Sequence, residues 1–325
     1  MNTLNHSSPA GAIHTAHPVN LLAWMQERFP PANALLFFIL YLATAAVVKG
    51  EALGTVQVGL FDLLACVITW SFFLLLRVLD EHKDYELDCL NHPQRVLQSG
   101  RITLGYLKGL GTVSVAAQLG LSLWLDQGIG PVTTAWAVMM VWASLMAKEF
   151  FIPEWLGRHL TWYALSHMLV MPLIVFWLAN LAHPGTALTP DLAILMLLAF
   201  VSGFCFEITR KTKGTDEERD TVESYSRIFG TRGAAWIVVI LVTTMLLIQY
   251  RLSFQILGTL PWWAAVVPAA GYALALNFLR QFFATPTAKA RGKNEAAVAL
   301  NMLIAYAVLI AVEISQHGLS LSGGL

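Results

Sequence analysis

Nine apolar runs constrain this chain more than any other feature. They fall at about 32–48, 59–76, 103–125, 131–147, 160–182, 191–206, 233–250, 260–279 and 296–312. Each is near the 17–25 residues a helix needs to cross a bilayer, and the shorter ones reach by tilting or by borrowing flanking residues. In lipid the backbone must satisfy its own hydrogen bonds, so runs of this length are read as helices. The expected fold class is all-α: a polytopic membrane protein with nine transmembrane helices. Composition agrees, since only 12% of the 325 residues are charged and 57% are hydrophobic, against roughly 25% charged in soluble domains. The formal net charge is zero. That leaves no electrostatic case for nucleic acid and makes membrane lipids the expected surroundings. Cys66, Cys89 and Cys205 lie far apart without C-x-x-C spacing, so neither a disulfide framework nor a zinc site is expected.

Lysine and arginine orient the helices. The connections after even-numbered runs, with Arg28 before the first, hold eighteen of the twenty basic residues; the other side has only Lys49 and Arg251. By the positive-inside rule the N-terminus and those loops face the cytoplasm and the C-terminus faces out. Residues 1–20 are polar, lack a secretory signal pattern, and are expected to form a disordered tail. Residues 21–325 are expected to form a single transmembrane domain. Its first piece, Leu21–Phe29, is amphipathic and long enough only to lie in the interface.

Two acidic clusters fall on the basic side. The first is Asp80-Glu81-His-Lys-Asp84-Tyr-Glu-Leu-Asp88, after the second run. Steps of four residues drift only about 40° on a helix, so Asp80, Asp84 and Asp88 share one face over about 12 Å. Like charges so placed repel, and a divalent cation would offset that cost. The second cluster follows the sixth run: Glu207, then Arg210-Lys211, Asp216-Glu217-Glu218 and Asp220. Each cluster leads to a small turn with a basic residue, Ser99-Gly100-Arg101 and Gly230-Thr231-Arg232. That offset of four helices reads as a weak internal repeat, an arrangement that places sites at the repeat interface.

Two carboxylate clusters facing one cavity suit Mg²⁺, which takes a few carboxylates and completes its shell with water and substrate phosphates. A diphosphate so bound is a good leaving group. Arg95, Arg101, Arg210 and Lys211 are candidates to hold its oxygens. Ser166-His167 lie inside the fifth run, five residues before Pro172, and an ionisable residue there is a candidate for the cavity wall; a carbonyl freed by the proline kink offers an alternative partner. Asn277, Asn301 and Tyr306 read as helix–helix contacts, with lining of the cavity as the alternative. Asp62 and Glu313 lie near the opposite face and are expected to have no catalytic part.

Asp80-x3-Asp84-x3-Asp88 followed by Asn91-His-Pro93-Gln-Arg95-Val-Leu-Gln-Ser99-Gly100-Arg101-Ile-Thr resembles the first signature of the UbiA superfamily of intramembrane prenyltransferases. The family's Asn-Asp pair is displaced to Leu79-Asp80, and Val96 stands where a proline is usual. The second signature is altered further, with Glu207 for its first acid and Lys211 within it; Glu207-x-x-Arg210-Lys211…Asp216-Glu217…Tyr225-Ser226 resembles a divergent bacterial branch. The resemblance implies a helical bundle around a central lipid-accessible cavity, capped by cytoplasmic loops, in the bacterial inner membrane. It implies Mg²⁺ on both clusters, with Asp80, Asp84, Asp88, Glu207, Asp216 and Asp220 as ligands. The partners it implies are a prenyl diphosphate and an aromatic or other lipophilic acceptor. It points to Arg95, Lys148, Arg210 and Lys211 for catalysis, and to Arg95, Arg101, His167 and Tyr225 for substrate. Two alternatives remain open. A terpene cyclase of the same family would quench the cation internally. A transporter would use the carboxylates as an ion path, although the acids sit at the edge and the spans themselves carry almost no charge.

Overall fold

The computed structural model describes residues 18–219 and 223–322; most of the expected tail, and Asp220, lie outside the described residues. All nine apolar runs are helical. They correspond to α2 (Ala34–Leu53), α3 (Leu60–Lys83), α5 (Leu104–Asp126), α6 (Pro131–Ala147), α8 with α9 (Leu160–Met168, Val170–Ala182), α10 (Pro190–Arg210), α11 (Tyr225–Leu257), α12 (Trp262–Ala284) and α13 (Ala288–His317). Three short helices complete the set: α1 (Pro18–Arg28), α4 (Tyr85–Asn91) and α7 (Pro153–Arg158). Seven spans, counting α8 with α9 as one, are long and apolar enough to cross a membrane; α6 is shorter, at 17 residues. This is a multi-pass membrane protein.

The helix α5 has the length of a span but is diluted by polar residues. Three of them, Ser114, Gln118 and Ser122, are buried in the bundle. Gln118 is fully buried, donates to Ser71 Oγ of α3 at 3.1 Å and accepts from Trp136 Nε1 of α6 at 3.2 Å. In lipid such bonds link helices that gain little from apolar contact alone. Asn301 of α13 does the same for α12, donating to the Gly271 carbonyl at 3.0 Å.

Local sequence sets where the helices begin. Thr103, Thr189, Ser224 and Thr287 cap α5, α10, α11 and α13 by accepting the backbone N–H of the third residue of each helix. Pro172 cannot donate and crowds the carbonyl four residues back, and the α8–α9 break falls there, at Leu169. Gly230, at φ 70° and ψ 160°, breaks α11 after its first turn, a conformation only glycine adopts without strain.

The amphipathic start of the chain does not lie apart from the bundle. In α1, Trp24 is 0% exposed and packs with Phe29, Leu74, Val78, Val96, Leu97, Ile102 and Leu107. At the end of α1, Glu27 accepts the Val96 N–H at 2.8 Å. The opposite end of the bundle is closed by two short parallel strands, β1 (Val56–Gly59) and β2 (Leu319–Ser322). Beneath them Asp62 is satisfied by Lys49 Nζ and Tyr41 OH, both at 2.7 Å, and by the Gly59 N–H at 2.8 Å. This pairing accounts for a buried acid far from both clusters.

Candidate active site at the loop end of the bundle

The first cluster straddles the end of α3. The Asp84 N–H bonds the Asp80 carbonyl at 2.9 Å, and the Asp88 N–H bonds that of Asp84 at 2.8 Å. The helical path thus runs through the junction with α4, and Asp80 and Asp84 share a face. Their side chains are about half exposed, at 50% and 44%. Lys83 reaches back among the acids. Its Nζ lies 3.9 Å from Asp80, 4.0 Å from Asp84 and 3.7 Å from Glu149, and donates to Tyr163 OH at 2.9 Å. Burial pushes the Asp84 carboxyl above its usual range; Lys83 pulls against this, and Asp80 and Asp88 add to the rise.

Asp88 and Glu81 are held differently. Asp88 accepts from Arg95 at 2.7 Å and Arg28 at 3.1 Å. Glu81 has a fully buried side chain and accepts from Arg28 and Arg77, each at 2.6 Å. Arg28 therefore forks between them, Nε to one and a terminal nitrogen to the other, and ties α1 to the cluster.

Glu149 is presented by a strained turn. Glu149, Phe150 and Phe151 have φ of 47°, 53° and 60°, and left-handed backbone costs roughly 1–2 kcal/mol per non-glycine residue. The turn aims Glu149 at Lys83 and wedges Phe150 between Trp142 and His167, ring centroids 5.3 and 5.9 Å apart. Its neighbour Lys148 is exposed, makes no ion pair among the described residues, and lines a separate apolar recess with Trp136, Met140 and Val141.

The second cluster is dominated by its cations. Glu207 is held by Arg210 at 2.8 Å and Lys211 at 2.9 Å. The Lys211 ammonium also sits 4.5 Å from the centre of the Tyr163 ring. Tyr163 thus joins the two clusters, its hydroxyl taken by Lys83 and its face by Lys211, and Asp80 lies within electrostatic reach of Arg210. His167 stacks on the same ring at 3.9 Å. Its Nδ1 bonds the Tyr163 carbonyl at 2.8 Å, not a carbonyl freed by the proline kink. With Nδ1 acting as the donor, Nε2 is a bare lone pair, buried and without a partner among the described residues.

Asp216 and Glu217 of the second cluster turn toward α13. Asp216 accepts the Ala288 N–H at 2.8 Å, at the positive end of that helix. Glu217 takes two bonds from Arg291, at 2.9 and 3.1 Å. Gly214 permits this approach, since a Cβ there would stand 2.4 Å from the Thr287 carbonyl carbon. Tyr225 is buried and donates to the Leu160 carbonyl at 2.9 Å, pinning α11 to α8. Arg101 is exposed and, among the described residues, its side chain bonds only Ser99, at 3.3 Å. The loops after α4 and α10 do face one another, across a cleft of about 470 Å³ lined by His92, Arg95, Lys213, Glu218, Arg219 and Ser224 among others. Burial and the Arg95 charge lower the His92 pKa, and burial and Arg291 lower that of Lys213.

Burial alone would raise the Glu217 carboxyl, but the Arg291 hydrogen bonds and the Gly214 N–H outweigh it and hold the group below its usual range. A depressed folded pKa means the pair stabilises the fold above the unfolded carboxylate pKa and loses that contribution as pH falls through the folded value. Glu217→Gln is therefore expected to melt below the parent at neutral pH, with the gap closing as the pH drops below the ordinary glutamate range. Parallel melts in detergent across pH check this; a gap that stays constant into acid would mean that the ion pair contributes nothing.

Tyr163, Lys83, Glu149 and Arg28 did not stand out in the sequence. Tyr163 carried the only available signal, lying four residues from His167 on the same helical face.

Fold and site define a class of polytopic helical membrane protein, with acids and cations gathered at one end of the bundle beneath two facing loops. Residues 34–303 match the UbiA prenyltransferase family, and the chain belongs to it. The chloroplastic chlorophyll synthase of Arabidopsis thaliana is 26% identical over 164 residues, 50% of this chain and 42% of that protein; the chain thus matches less than half the length of this curated relative. A solved structure concerned with digeranylgeranylglyceryl phosphate synthase in membranes superposes with a TM-score of 0.61 at 18% identity, over 91% of this chain and 99% of that one. At that identity the likeness speaks for the fold.

Proposed function

We propose that the chain transfers a prenyl group from a prenyl diphosphate to an aromatic or other lipophilic acceptor, through an allylic cation, with Mg²⁺ at the first cluster. The observation that carries this reading is the meeting of the clusters across Tyr163: exposed carboxylates on one side, a cationic pair on the other. Among the described residues no three His, Cys, Asp or Glu side chains converge on a metal-sized site. Asp80 and Asp84 still fit Mg²⁺, because that ion is held by one or two carboxylates with water and substrate phosphates. Both already hold a cation, the Lys83 ammonium.

Bound there, Mg²⁺ would neutralise the charge that develops on the leaving diphosphate. Arg210 and Lys211 would bind the phosphate oxygens. The Tyr163 and His167 rings would wall the cation, and the packed apolar core would keep water from it. The bare Nε2 of His167 would accept a hydrogen bond from the acceptor. Arg95, bonded to Asp88, would hold the loop over the site. We further infer a single domain over 21–325 with nine spans around a lipid-accessible cavity, in the bacterial inner membrane. Its loop end and N-terminus would be cytoplasmic and its C-terminus outside. The concentration of basic residues on the loop side supports that orientation.

Purified protein given farnesyl diphosphate and Mg²⁺ is expected to release diphosphate only when a lipid extract supplies an acceptor. A cyclic hydrocarbon formed without an acceptor would make the protein a cyclase. Mg²⁺-dependent ion flux in proteoliposomes, with no diphosphate released, would sink the enzyme reading.

A further inference from the structure

We propose that this site works with one divalent metal ion, and that Arg210 and Lys211 do at the second cluster what a second ion would otherwise do. The proposal rests on the prenyltransferase reading above and specifies how the diphosphate is held.

A metal site needs ligands whose charge is not already spent. At the second cluster Glu207 is, among the described residues, the acid bound by the Arg210–Lys211 pair, and both of its oxygens are taken: Oε2 by Arg210 at 2.8 Å, Oε1 by Lys211 at 2.9 Å. One carboxylate and two cations leave a net positive charge, which repels a divalent ion and attracts a phosphate. Three other acids of the loop are committed elsewhere. Asp216 bonds the start of α13, Glu217 forks to Arg291, and Glu218 accepts from Ser224 Oγ at 2.9 Å. The Glu207 carboxylate can therefore take a metal only by giving up its bonds to Arg210 and Lys211.

The first cluster has the opposite balance. Asp80, Asp84 and Glu149 surround one ammonium, at 3.7–4.0 Å and without a direct bond to any of them. Three carboxylates against one lysine leave room for a divalent cation. Lys83 keeps Tyr163 OH as its hydrogen-bond partner when a metal takes the two aspartates. The diphosphate is then bracketed, with a metal on the α3 side and an Arg–Lys pair on the α10 side. Arginine suits this task because its planar fork matches two phosphate oxygens at once.

The test is stoichiometry. Purified protein with inorganic pyrophosphate is titrated with Mn²⁺, and bound ion is counted by the loss of the free Mn²⁺ paramagnetic resonance signal. One Mn²⁺ per chain is expected. Two would overturn the one-metal arrangement while leaving the prenyltransferase reading intact; none would remove both. The wild-type count decides without any variant. Lys211→Ala adds a second readout: pyrophosphate affinity is expected to fall on the order of tenfold to a hundredfold, with the Mn²⁺ count unchanged. Unchanged pyrophosphate affinity in Lys211→Ala would count against the role given to the cationic pair.

Discussion

Asp84→Asn is expected to lower diphosphate release at least about 10²-fold, the scale on which removal of one preorganised electrostatic group acts, while the bundle stays folded. Two features make the separation clean. The Asp84 side chain is 44% exposed and flanked by like charge from Asp80 and Asp88, so neutralising it relieves repulsion and opens no cavity. Lys83 keeps Asp80, Glu149 and Tyr163 as neighbours when Asp84 is lost. The measurement is phosphate-coupled turnover, with a detergent melt as the folding control. Near-parental turnover in a folded variant would remove the metal from this face. Asp88→Asn is the informative comparison, because Asp88 is already engaged by Arg28 and Arg95. Its loss should loosen the loop and shift the melt as well as the rate.

The second large effect is at Arg28. Arg28→Ala leaves the buried Glu81 with Arg77 alone and Asp88 with Arg95 alone. Orphaning a buried charge outright costs about 3–5 kcal/mol; with one partner kept on each acid the expected loss is about 2–3 kcal/mol. Arg28→Lys should recover only part of it, since a single ammonium cannot fork between Glu81 and Asp88 as Nε and a terminal nitrogen do. Unfolding monitored in detergent would report both. If the alanine variant melted with the parent, α1 would be held by Trp24 packing alone and the ion pairs would be incidental.

The parts of this molecule that follow from local periodicity were readable in the sequence. The nine apolar runs are helices because lipid offers the backbone no other partner, and Asp80 and Asp84 share a face because four residues make nearly one turn. The same rule separates Glu81, which lies about 100° further round and turns to α1. What was not readable depends on distant partners. Asp216 looks like one more ligand, with Glu217 beside it in the same acidic run, until α13 arrives, seventy residues on, with a free N–H and an arginine. Lys83 reads as topology until Tyr163 and Glu149 close around it. Lys148 was singled out where its neighbour Glu149 is the side chain aimed at the cluster, because three left-handed residues in a row reverse the outlook of that turn.

The strand pair at the far end of the bundle has a consequence for how the chain is made. Thr55 and Ser320 are 265 residues apart and bond across it at 3.2 Å. A contact of such long separation cannot form until residue 320 has been synthesised. Strand β1 leaves the ribosome early and waits through every later helix for β2, the last described element to emerge. The clasp can therefore close only after α13 has been inserted with its C-terminal end on the side of β1, so its formation reports that the helices from α3 to α13 are in place.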